Sequence, residues 1–123
     1  MNPAILASVA AGGALGSLLR YFVASAIPSS PFPWGIFIVN ITGGFIMGVI
    51  VELSALKLSI GPELRAFLTV GILGGYTTFS TFSLDSALLI QRGTYLAAAG
   101  YIVGSVVLSI LALFAGLALV RAL

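Results

Sequence analysis

Cysteine and histidine are both absent from the 123 residues, and only eight side chains carry a formal charge. Without cysteine there is no disulfide framework and no thiol chemistry. Without histidine the commonest general base and metal ligand is missing. Glu52, Glu63 and Asp85 are the only acids, so conventional acid–base or metal-dependent catalysis has little to work with. The five basic residues form no run, which argues against a nucleic-acid site despite a net charge of +2 and a pI near 9.4. A soluble domain of this size carries about a quarter of its residues as charges. Here the share is 7%.

What is present is apolar surface. Hydrophobic residues make up 60% of the chain, and the mean hydropathy of +1.24 points to lipid as its main solvent. Four spans of about 20 residues each use most of the length, which fits a single domain. The N-terminal Met1-Asn2-Pro3-Ala4 lacks the basic stretch of a secretory signal peptide, so the first apolar run is expected to remain as a helix. No linker or low-complexity tract interrupts the sequence, and one four-helix transmembrane domain over 1–123 is expected.

The sequence predicts an all-α membrane protein with helices over about 3–27, 33–57, 62–91 and 94–120. The first ends at Pro28-Ser29-Ser30-Pro31-Phe32-Pro33, whose three prolines cannot continue a helix. The second opens near Trp34, an interfacial anchor. Ser59-Ile60-Gly61-Pro62 forms a turn with Pro62 placed to start the third helix. Arg92-Gly93 closes the third, and the fourth follows from about Thr94.

Four crossings put both termini on one side of the membrane, with Lys57, Arg65 and Arg121; Arg20 and Arg92 fall on the other. Orientation normally follows an excess of Lys and Arg in cytoplasmic loops. Three against two is almost no bias. The count leaves two topologies open: a chain inserted both ways that pairs as an antiparallel dimer, or a single orientation with the N-terminal side in the cytoplasm.

Small residues recur at fourfold spacing. Ser8, Gly12 and Gly16 share a face of the first helix, Asn40, Gly44 and Gly48 of the second, and Gly100 and Gly104 of the fourth. Such stripes let helix backbones approach closely in lipid, and packing is sufficient to explain the glycines. Asn40 adds a buried amide to its stripe, with interhelical hydrogen bonding as the default explanation.

The least ordinary segment is Gly71-Ile72-Leu73-Gly74-Gly75-Tyr76-Thr77-Thr78-Phe79-Ser80-Thr81-Phe82-Ser83, in the middle of the third span. Glycine costs about 1 kcal/mol relative to alanine inside a helix, and serine and threonine compete for backbone hydrogen bonds. A break near Gly74–Thr78 is therefore expected. Irregular backbone at membrane depth is tolerated only when buried in protein or lining a water-filled cavity, where freed carbonyls are natural ion ligands. A glycine kink repaired by hydroxyls is the plainer alternative. Phe79 and Phe82, three apart, are expected to share a face beyond the break. Interleaved with Thr78, Ser80, Thr81 and Ser83, they suggest a segment facing protein rather than lipid. Aromatic ring edges are electropositive and meet an anion without the grip of a lysine, while hydroxyls and amides add ordinary donors.

At this point the residues resemble a family. The thirteen positions Gly71–Ser83 are similar to the third-helix signature of the Fluc fluoride channels, the CrcB-like proteins. Trp34-Gly35 followed by Asn40-x-x-Gly43-Gly44 resembles their second helix, and Gly12-Gly13-x-x-Gly16-x-x-x-Arg20 their first. The likeness extends over essentially the whole chain.

The resemblance implies a dual-topology, antiparallel homodimer in the bacterial plasma (inner) membrane, with two pores that export fluoride passively from the cytoplasm. It implies that Phe79 and Phe82 are pore-lining rings and that Asn40 is an amide donor in the pore. Ser80, Thr81 and Ser83 would extend a polar track beside the rings, and Tyr101, Ser105 and Ser109 would form the pore-facing stripe of the fourth helix. Backbone carbonyls of Gly74 and Thr77 from both subunits would surround a structural sodium ion (Na+) at the dimer interface. Arg20 is expected to snorkel or to attract anions at a vestibule. One departure stands out: some relatives carry a hydroxyl residue four before the asparagine, where this chain has Ile36. Thr42 is polar but is expected to point to another face.

Asp85 is expected in a wet vestibule or paired with an arginine, and Glu52 at the membrane interface. A small cation exporter of the multidrug-resistance type has similar size and span number. Such exporters need a carboxylate deep in the first helix, which has none here. A non-transporting membrane subunit would explain the glycine faces but not the hydroxyl-rich interruption. An intramembrane enzyme lacks the necessary side chains.

Overall fold

The computed structural model describes residues 1–123, all helical apart from short turns. Four segments are long and apolar enough to cross a bilayer: Pro3–Ala26, Trp34–Leu56, Pro62–Gln91 and Tyr95–Arg121. The chain is a multi-pass membrane protein. Helix α1 (Pro3–Ala26) starts where the Asn2 side chain accepts the Ala4 amide at 2.9 Å and Pro3 occupies the first helical position. It stops before the prolines of the first loop. Within that loop the Ser29 hydroxyl accepts the Gly35 amide at 2.9 Å, tying the loop to the start of α2 (Trp34–Leu56).

The third span is composite. It opens as α3 (Pro62–Arg65), passes into a π-helical stretch over Ala66–Leu73, and recovers one α-turn, α4 (Gly74–Tyr76). Thr77 is extended, with φ −84° and ψ 158°, and the chain resumes as α5 (Ser80–Gln91). The break expected near Gly74–Thr78 therefore lies at its C-terminal edge, at residues 77–79. The widened turns that precede it had no visible signal in the sequence. Helix α5 ends in a Schellman motif: the Thr94 amide donates to Leu89, the Gly93 amide to Ile90, and Gly93 adopts φ +77°. Helix α6 (Tyr95–Arg121) completes the fold.

Two parallel helix pairs make the bundle. In one, α1 lies on the first half of the third span: a Cβ on Gly12 would sit 2.5 Å from the Phe67 carbonyl, and one on Gly16 would overlap the Ile72 carbonyl. In the other, α2 lies on α6, with Gly48 against the Leu113 carbonyl and Gly116 against that of Phe45. Such backbone contact maximises dispersion where no hydrophobic effect separates helix from lipid. Gly116 is a contact that the fourfold stripes did not single out. Gly100, counted in a stripe, faces open space, whereas Gly104 meets the Phe37 ring. At the end of the second pair, Glu52, only 7% exposed, accepts from the Arg121 Nε at 2.6 Å. Glu52, near the end of α2, is thus a buried partner of the last turn of α6.

Candidate functional site

The break is held by three side chains. Each grips a different one of three successive residues. The Thr42 hydroxyl lies 3.0 Å from the Tyr76 hydroxyl. Arg20 Nη1 donates to the Thr77 carbonyl at 3.3 Å. Asn40 engages Thr78 twice: Nδ2 donates to its carbonyl at 3.1 Å, and Oδ1 accepts its amide at 2.9 Å. Gly43 makes room for this arrangement, since a Cβ there would collide with the Thr77 methyl. A broken helix leaves orphan donors and acceptors that cost free energy in a nonpolar setting; two of them, on Thr78, are satisfied by one amide. Thr42 does point away from Asn40's groove, as its spacing suggested, and its target is the break itself.

Beyond the break, Thr78 also starts the next helix. Its hydroxyl accepts the Thr81 amide at 3.2 Å, doing the work of an N-cap one residue early. Upstream of it, the Thr77 amide donates to the Leu73 carbonyl and the Thr78 amide to Asn40 Oδ1, so neither serves the Gly74 carbonyl. Gly74 and Thr77 are the two residues whose carbonyls the family resemblance implies for a cation.

Phe79 and Phe82 lie with ring centroids 5.4 Å apart and planes at 45°. They do not share an environment. Phe79 precedes α5 and is 77% exposed, whereas Phe82 is 8% exposed within a cluster with Leu89, Ala98 and Tyr101. Tyr101 is fully buried, 5.3 Å from the Phe82 ring and 5.5 Å from Phe32, which meets it edge-on. Its hydroxyl donates to Asp85 Oδ2 at 3.0 Å.

Two recesses flank the break. A groove of about 480 Å³ is lined by Asn40, Gly74, Thr77, Phe79, Phe82, Ser105 and Ser109, with apolar Met47, Val106 and Leu113. A crevice of about 450 Å³ on the other side holds Arg20, Arg92 and Asp85 with Ser17, Ser25, Ser29 and Ile36. No guanidinium comes within 4.0 Å of Asp85, so its partner is Tyr101 and not an arginine. Ile36, the position lacking a hydroxyl, packs on the aromatic cluster.

Two serines of the groove differ from many other helical hydroxyls of the protein. Ser8, Ser54, Thr69, Thr77, Ser83 and Ser86 each donate to the carbonyl four residues earlier. Ser105 and Ser109 do not: their oxygens are removed from solvent and meet no partner. Buried polar groups are nearly always satisfied, and these two, one helical turn apart in one groove, find no partner within the chain. Of the expected fourth-helix stripe, Ser105 and Ser109 reach the groove and Tyr101 does not; none of the expected polar track does. Ser80, Thr81 and Ser83 are not among its lining residues, and Ser83 turns back to the Phe79 carbonyl at 2.9 Å. Arg20 and Thr42 as holders of the break were not visible in the sequence, because spacing along a helix cannot report what lies across it.

Comparison with known proteins agrees over the full chain. Residues 7–117 match the family described as CrcB-like protein, Camphor Resistance (CrcB). A protein of Rhizobium meliloti (strain 1021) named fluoride-specific ion channel FluC is 51% identical, covering 100% of this chain and 99% of that protein. A protein of the same name from Rhodospirillum centenum is 51% identical over 95% of both chains, and one from Rhizobium etli is 52% identical over 94% of both.

Proposed function

Because the chain belongs to the CrcB-like family, we propose that it is a fluoride channel rather than an enzyme, letting fluoride leave the cytoplasm passively. Its path runs along the groove beside the break. The observation that carries this reading is the pair of unpartnered hydroxyls, Ser105 and Ser109, in a groove also lined by Asn40, Phe79 and Phe82. Fluoride is small and strongly hydrated, so a path for it must replace water with many weak donors. Hydroxyls and ring edges do so without a charged side chain in the groove, and conduction requires binding weak enough to release. Arg20 and Arg92 stand in the crevice on the other side of the break, where they raise the local anion concentration without gripping the ion in transit.

The working unit is an antiparallel homodimer with two pores. Two observations support it. Phe79 is 77% exposed beside an open groove, which a second copy would cover. The three-to-two distribution of basic residues gives little preference for one orientation. Carbonyls of Gly74 and Thr77 from both subunits would hold the structural sodium ion. The donor set fits a hard cation: the Thr77 and Thr78 amides turn away from the Gly74 carbonyl, and the carbonyl of Thr77 accepts from Arg20. Such an ion supplies a fixed positive charge behind the path and ties the two breaks together.

The decisive experiment is fluoride efflux from liposomes carrying the purified protein, followed with an ion-selective electrode, with chloride as control. Fluoride leaves and chloride is retained if the reading is right. Equal loss of both ions, or of neither, removes it.

A further inference from the structure

Arg20 and the carbonyl it touches face opposite recesses. The guanidinium lies in the crevice, Thr77 lines the groove, and the 3.3 Å hydrogen bond joins them across the break. No carboxylate lies within 4.0 Å of Arg20, and Asp85 in the same crevice is engaged by Tyr101, so the charge is unpaired within the chain. A carbonyl oxygen has two lone pairs. One of those on Thr77 serves Arg20, and the other is available to a cation.

We propose that Arg20 is a positioning residue that holds the Thr77 carbonyl while its charge opposes the monovalent cation bound by the same oxygen, so that position 20 sets how tightly the cation is held. The inference rests on the sodium site proposed above. Two positive charges sharing one oxygen lie only a few ångströms apart, in surroundings that screen them far less than water does. The hydrogen bond fixes the carbonyl; the charge weakens the ion. A site built in this way is tunable at a residue that never touches the cation.

The test uses purified full-length protein in detergent. Thermal unfolding is followed as sodium is replaced by N-methylglucamine at constant ionic strength. For Arg20→Gln, the sodium concentration giving half-maximal protection is expected to fall at least tenfold, because the repulsion is removed. Arg20→Lys keeps the charge and stays within about threefold of wild type. Unchanged or weaker sodium dependence in Arg20→Gln overturns the inference, as does an equal gain in Arg20→Lys. If Arg20→Gln yields no folded protein, Arg20→Met against Arg20→Lys makes the same comparison. Loss of folding in both uncharged variants assigns Arg20 to folding and overturns the inference as well. A wild type indifferent to sodium fails at the earlier step, since no cation site then exists to be tuned.

Discussion

The Asn40 side chain replaces a missing turn of helix for Thr78, donating to its carbonyl at 3.1 Å and accepting its amide at 2.9 Å. One residue on α2 thus closes the backbone on the far side of the break. Asn40→Ala removes both bonds and leaves two backbone groups unmatched, at about 1–3 kcal/mol for each buried group. Asn40→Asp keeps the acceptor but sets a carboxylate oxygen against the Thr78 carbonyl. Both variants are expected to unfold at lower temperature and to lose most fluoride efflux, with Asp the worse for flux because it brings negative charge to the groove. Wild-type efflux from either would separate the clasp from the path.

Ser105→Ala and Ser109→Ala test a sign. A buried hydroxyl without a partner is a liability to the fold, so its removal is expected to be neutral or to stabilise by about 1 kcal/mol. Fluoride efflux should nevertheless fall, and further in the double variant. A fall in stability together with flux would mean that the hydroxyls serve packing. Ser86→Ala is the control: its hydroxyl bonds to the Phe82 carbonyl at 2.8 Å, and it should lose stability at unchanged selectivity.

Phe79→Ile and Phe82→Ile separate the two rings. Phe79 is mostly exposed in the single chain, whereas Phe82 is packed on Tyr101 at 5.3 Å. Both substitutions should cut fluoride flux, and Phe82→Ile, which loses the Tyr101 contact as well as the Phe79 one, should lower the unfolding temperature more, aromatic pairs being worth about 0.5–1.5 kcal/mol beyond area. Flux unchanged in both would exclude ring edges as part of the path.

Gly48→Ala and Gly100→Ala probe the glycine stripes. A methyl group on Gly48 overlaps the Leu113 backbone, while one on Gly100 enters open space. Overpacking of the first kind costs about 1–3 kcal/mol. Yield and thermal stability should fall for Gly48→Ala and stay level for Gly100→Ala. An equal fall in both would indicate that Gly100 packs against something outside this chain.

How far the sequence foretold these features depended on the range of the interaction. The four spans and the break were legible because hydropathy, proline and paired glycines are local signals. Gly12, Gly16, Gly44 and Gly48 were legible as packing for the same reason. The π-helical stretch was not, since Ala66–Leu73 reads as an ordinary apolar helix; it lies in backbone contact with α1. Glu52 near a helix end read as interfacial, but its pairing with Arg121 on α6 could not be read from spacing. Arg20, Thr42 and Asn40 all proved to act across helices on Tyr76, Thr77 and Thr78. Asn40 alone was expected to bond between helices, because an amide in an apolar run is conspicuous whatever it touches.

Every side chain that grips the break, Arg20, Asn40 and Thr42, precedes it in the chain. The ribosome therefore delivers the holders before the segment they hold. When the third span enters the bilayer, its exposed amides and carbonyls meet partners already in place and need not wait for the rest of the protein. The groove is different, because Ser105 and Ser109 arrive only with the last helix. Biosynthesis thus assembles the break first and its polar wall second.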